Sequence, residues 1–182
     1  MRIYLTGFMG AGKSSVGWAL AARLGVPFVD LDAEIVDRAG ATIPEIFTAG
    51  GEGEFRRLER EALEVVLARP ELADAVIATG GGTVAWAGTA ERLAASGATV
   101  WLNLPFTAIV ERIGVLGKRD RPLFRDETQA FALYRERLGA YRRCDLEVAV
   151  AAEESPEEVA ARVEQRLAEV IGTAGSARRT VR

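Results

Sequence analysis

Apolar positions along the chain fall into two alternating kinds of run. Short stretches at 2–6, 75–79, 98–104 and 146–150 are almost wholly apolar, the pattern of strands buried on both faces. Residues 27–32 read as another strand, closing on Asp30-Leu31-Asp32. Between these runs the apolar residues recur at helical spacing. Val16, Leu20 and Leu24 share one face over 13–24, and Gly25 ends that helix. Phe55, Leu58, Ala62, Val65 and Val66 share another over about 54–67, which Pro70 closes. Helices are also predicted over 89–96, from Pro105 to about 113, over 128–141 and over 155–171. Thr42 is placed to cap a short helix around 44–47. Ser155, with Pro156 after it and Glu158 three residues on, forms a capping box.

Strands alternating with helices predict an α/β fold, a three-layer, doubly wound, five-stranded parallel sheet in a single domain over 1–172. Residues 114–127 are polar, rich in arginine and without periodicity, and are expected to form a mobile lid. Residues 173–182 are small, polar and basic, and are expected to be a disordered tail.

Composition narrows the chemistry. The chain has no histidine and one cysteine, Cys144, which removes zinc sites of the usual kind, Ser-His-Asp catalysis and any internal disulfide. A net charge of −3 argues against a nucleic-acid partner. No apolar run reaches the roughly 20 residues of a membrane helix, and Gly7 interrupts the only N-terminal one, so a cytoplasmic protein is expected. Lys13 and Lys118 are the only lysines among 23 basic residues. A chain that otherwise writes arginine has a compact ammonium at position 13.

Position 13 falls in Gly7-Phe8-Met9-Gly10-Ala11-Gly12-Lys13-Ser14, a GxxxxGK[ST] sequence with a strand before it and a helix after it. Backbone amides of such a loop, and the helix N-terminus beyond it, cradle phosphate oxygens. ATP is therefore expected against Gly10, Ala11, Gly12, Lys13, Ser14 and Ser15. Lys13 would reach the terminal phosphates and Ser14 would ligate Mg²⁺. Asp30 and Asp32, at the carboxyl end of a strand, are candidates for the metal's hydration shell and for accepting a proton from an acceptor hydroxyl. The spacing leaves open which acid does which.

Gly51-Glu52-Gly53-Glu54-Phe55-Arg56-Arg57-Leu58-Glu59, preceded by Ile43-Pro44-Glu45-Ile46-Phe47, resembles the signature of the shikimate kinase family. The GFMGAGKS loop, the FVDLD stretch, Gly80-Gly81-Gly82, Arg121-Pro122-Leu123 and the segment from Arg137 to Tyr141 resemble that family in the same order. The resemblance implies ATP-dependent phosphorylation of shikimate, with sheet order 2-3-1-4-5; a monomer is expected. It implies that Asp32, Arg56, Glu59, Gly80, Gly81, Gly82 and Arg137 hold shikimate, with Arg135 as the alternative to Arg137. It also implies that Asp32 acts as base or orienter, with Asp30 nearer the metal. Arg121 would neutralise charge on the phosphoryl group from the lid, and Arg112 would lie near adenine. Gly139-Ala140 replaces the family's Pro-Leu, which makes the register of that segment a question for the structure.

Overall fold

The computed structural model describes residues 1–116 and 126–177. Strands β1 (Arg2–Thr6), β2 (Phe28–Asp30), β3 (Ala75–Ala78), β4 (Gly97–Asn103) and β5 (Leu146–Ala149) form one sheet in the order β2-β3-β1-β4-β5. All pairings are parallel, with Ile3 opposite Val76 on one side and Ala98 on the other. Around it lie α1 (Lys13–Leu24), α2 (Leu31–Ala39), α3 (Ile43–Ala68), α4 (Thr89–Ser96), α5 (Phe106–Leu116), α6 (Glu127–Tyr141) and α7 (Pro156–Ala177). The central strands are continuously apolar because both faces are covered: Tyr4, Leu5, Val76, Ile77, Val100 and Leu102 are all shut off from solvent. Edge strand β5 alternates instead, burying Leu146 and Val148 while Glu147 and Ala149 face out. Among the described residues, no helix is long and apolar enough to cross a membrane.

Two stretches in the first half of the chain differ from the sequence expectation, each for a local reason. The strand expected over 27–32 stops at Asp30, whose carboxylate accepts the Asp32 N–H at 3.0 Å and caps α2. Asp30 and Asp32 therefore do not alternate across a strand. Thr42 and Glu45 form a capping box, and the helices expected around 44–47 and 54–67 are the two halves of α3. They meet at Gly51, whose φ of 67° and ψ of −169° break the helix.

At the other end of the chain, α5 runs on to Leu116, so 114–116 of the expected lid are helical. Asp126 caps α6 through the Gln129 N–H at 2.8 Å. The remainder of the expected lid, 117–125, with Lys118 and Arg121, lies outside the described residues. The backbone of α7 continues to Ala177, five residues into the expected tail, and 178–182 lie outside the described residues.

β1 has β3 on one flank and β4 on the other, so the chain winds outward in both directions from its carboxyl end. A crevice opens at such a switch point.

Candidate active site

The loop from β1 to α1 occupies that crevice. Gly10 and Gly12 take φ of 81° and 89°, open to glycine without strain, and Gly12 caps α1. Gly7 is required by contact as well: a Cβ there would lie 2.7 Å from the Leu102 carbonyl oxygen. The first amides of α1 have no acceptor within their own helix and so are available to an anion. Lys13 folds back over the loop, its Nζ donating to the carbonyls of Gly7 (2.9 Å) and Phe8 (3.1 Å). Ser14 Oγ donates to Asp30 Oδ2 at 2.5 Å, while Asp30 Oδ1 holds the α2 cap. Two hard oxygen donors thus meet beside the phosphate cradle. That pair fits Mg²⁺, which completes its shell with water and phosphate oxygens. Asp30, rather than Asp32, makes this contact.

Asp32 stands in the first turn of α2. The residue is half-buried, yet Oδ1 is sealed from solvent without a hydrogen-bond partner among the described residues. Burial pushes its carboxyl up to about 6, with Lys13 opposing the shift and Asp30 and Glu59 adding to it.

Across the cleft, two arginines from different helices converge. Arg56 on α3 and Arg137 on α6 are both buried. The point where a Cβ of Gly82 would lie is 2.8 Å from Arg56 Nη2 and 3.0 Å from Arg137 Nη2. Glu59, itself buried, fixes Arg56 through Nη1 (2.8 Å) and is held in turn by Thr83 Oγ1 (2.6 Å). The Arg56 guanidinium carbon lies 5.0 Å from the Phe55 ring centroid and 5.1 Å from that of Trp86. Tyr141 donates its hydroxyl to the Gly81 carbonyl, tying the glycine loop to α6 beside Arg137. Burial pulls the Arg137 guanidinium below its ordinary value; Tyr141 counters this and the charge of Arg56 adds to it.

Gly80, Gly81 and Gly82 all avoid positive φ, so their glycines answer to space. A Cβ on Gly80 would meet Glu59 Oε1 at 2.3 Å, and one on Gly82 would enter the arginine pair.

One cleft of about 710 Å³ joins these groups. It runs from Ile43, Phe47 and Phe55 past Asp32, Arg56 and Arg137 to the phosphate loop, then on to Arg112, Val150 and Pro156. Arg112 is fixed at that far end by donating to the carbonyls of Ala151 (3.1 Å) and Ala152 (2.9 Å). Of the residues expected at the site, Gly10 to Ser15, Asp32, Arg56, Gly80 to Gly82, Arg112 and Arg137 line this cleft, and Glu59 sits behind Arg56. Arg135 is exposed on another face of α6, so Arg137 is the arginine in the cleft. Gly139-Ala140 continues α6 without interruption. Sequence reasoning gave no role to Thr83, Trp86, Phe47 or Glu52. The last two stand in the same motif as Arg56 and were discoverable from it, whereas Thr83 and Trp86 carry no local signal.

A phosphate loop at the switch point of a β2-β3-β1-β4-β5 sheet, facing a cationic pocket across one cleft, defines a P-loop kinase. The family model "Shikimate kinase" matches residues 9–168. The chain is 40% identical to the shikimate kinase of Aquifex aeolicus over 162 residues, 87% of this chain and 91% of that one. It is 38% identical to that of Synechococcus elongatus over 172 residues, covering 93% and 85% respectively. The structure of shikimate kinase from Acinetobacter baumannii in complex with shikimate superposes with a TM-score of 0.85 at 34% identity, over 92% of this chain and 93% of that one. This chain belongs to the shikimate kinase family.

Proposed function

We propose that this chain transfers the γ-phosphate of ATP to the 3-hydroxyl of shikimate, giving ADP and shikimate 3-phosphate, as a monomer in the cytoplasm. The observation that carries the reading is the convergence of Arg56 and Arg137 beside Gly82, in the same cleft as the phosphate loop. Two guanidiniums aimed at one point bind a carboxylate with charge-assisted, paired hydrogen bonds. A carboxylate held there leaves the rest of a small ring to extend towards Asp32 and the phosphate loop.

Position supports each role except that of Arg121. Asp32 Oδ1, buried and without a partner among the described residues, accepts a hydrogen bond from the acceptor hydroxyl and draws its proton as that oxygen attacks phosphorus. Lys13 exchanges the carbonyls of Gly7 and Phe8 for phosphate oxygens. Ser14 and Asp30 would hold Mg²⁺, directly or through water, and the ion would offset charge on the β- and γ-phosphates. Gly10, Ala11, Gly12 and Ser15 supply backbone donors, and Arg112 flanks the base. Arg121 is assigned on family resemblance alone, as the cation that meets the transferred group. Glu59 positions Arg56. Catalysis is then mostly orientation and charge neutralisation, which a loose phosphoryl-transfer transition state requires.

A coupled ADP-release assay across shikimate, gluconate and nucleoside monophosphates tests the reading. Turnover should require shikimate. Equal or faster release with gluconate or a nucleotide acceptor would overturn it.

A further inference from the structure

Arg56 has a second carboxylate that the acceptor site does not need for its architecture. Glu52 Oε1 accepts from Arg56 Nη2 at 3.0 Å and from Nε at 3.3 Å. The two carboxylates differ in mobility. Glu59 is buried, with one oxygen on Arg56 and the other on Thr83, so it cannot leave without stranding a buried charge. The Glu52 side chain is 49% exposed and sits just after the helix break at Gly51. Released, it enters water and stays at the N-terminal end of the second half of α3, where the helix dipole favours a negative charge.

Charge balance makes the release meaningful. Arg56 and Arg137 place two positive charges about one point, and Glu59 and Glu52 balance them. A ligand carboxylate entering there makes the anions outnumber the cations unless one of them withdraws. Glu52 is the one free to do so. We infer that Glu52 is a resident counter-ion which holds the outer edge of Arg56 in the free protein and yields it to the carboxylate of the acceptor. It keeps the arginine pair paired and ordered between turnovers. The cost is weaker binding of the acid, since every binding event must displace it. This inference rests on the shikimate reading of the same site.

Glu52→Gln keeps the size of the side chain and removes its charge. Calorimetric titration of the variant should show shikimate binding about two- to five-fold more tightly than in the wild type, the range set by losing a half-exposed ion pair. Shikimate methyl ester, which carries no charge to exchange, should bind the two proteins alike. The KM for ATP should not move, and KM for shikimate should fall with its Kd. Weaker or unchanged shikimate binding in the variant would overturn the inference, the first outcome making Glu52 a support for Arg56. An equal gain for acid and ester would also overturn it, by showing that space rather than charge was released. If the wild type neither binds nor phosphorylates shikimate, the functional reading fails and takes this one with it. If the wild type does both and Glu52→Gln binds no more tightly, the counter-ion inference fails alone.

Discussion

Asp32 concentrates a conflict between stability and use. Its carboxyl is raised from 3.8 to about 6 by burial, and its Oδ1 has no donor among the described residues. Between about pH 4 and 6 the folded protein retains a proton that the unfolded chain has released, so this group makes stability fall as pH rises through that window. Above it, the charged Asp32 is a constant liability to the fold. Asp32→Asn should therefore raise the thermal midpoint at neutral pH, and the gain should vanish below about pH 4. The same variant should lose turnover. In the wild type, kcat/KM should fall as pH drops below about 6, where Asp32 takes up its proton. Melting curves and rate profiles across pH check both halves, and an Asp32→Asn protein less stable at neutral pH would contradict the assignment.

At the scale of elements, one carboxylate joins two structures that the chain forms separately. Asp30 caps α2 with one oxygen and holds Ser14 of α1 with the other. The cap places Asp32 in the first turn of α2, and the contact with Ser14 brings α1 and α2 to the same site. The two duties can be separated because asparagine caps a helix about as well as aspartate but is a poorer partner for a dication. Asp30→Asn should lose no more than about 1 kcal/mol of stability, mostly the interaction of the charge with the helix dipole. Its apparent affinity for Mg²⁺ in the ATP reaction should drop by about 10–100-fold. Chemical denaturation alongside a Mg²⁺ titration measures the two effects. A large stability loss with unchanged Mg²⁺ dependence would make Asp30 structural only.

Over the whole molecule, the cleft divides by origin. Its acceptor end is built by α2, α3, the loop after β3 and α6, and its nucleotide end by α1, α5 and the turn between β5 and α7. Only the phosphate loop serves both. Arg56→Ala should accordingly weaken shikimate binding by about ten- to 150-fold, the worth of a hydrogen bond to a charged group, and leave ATP affinity nearly unchanged. In thermal-shift measurements, ADP should still stabilise this variant while the increment from shikimate at fixed concentration disappears. Loss of both increments would show that Arg56 supports the fold.

The sequence by itself determined what depends on neighbours in the chain. The phosphate loop, the strand before it and the helix after it were legible because turn, cradle and helix start all occur within a dozen residues. So were the cap at Thr42, the capping box at Ser155, and the alternation of buried strands with helices that makes a parallel sheet. Tertiary structure decided the rest. Whether Asp30 or Asp32 faces Ser14 turned on where a strand gives way to a helix, which the Asp30 cap sets. Arg135 and Arg137 are two residues apart, and only the packing of α6 selects the one that enters the cleft. The reason that Gly80 and Gly82 must be glycine appears only once Glu59 and the arginine pair are seen to fill the space a side chain would take. Arg56 and Arg137 lie on different helices, and their convergence arises from how α3 and α6 pack at the end of the sheet. No local pattern encodes that meeting point.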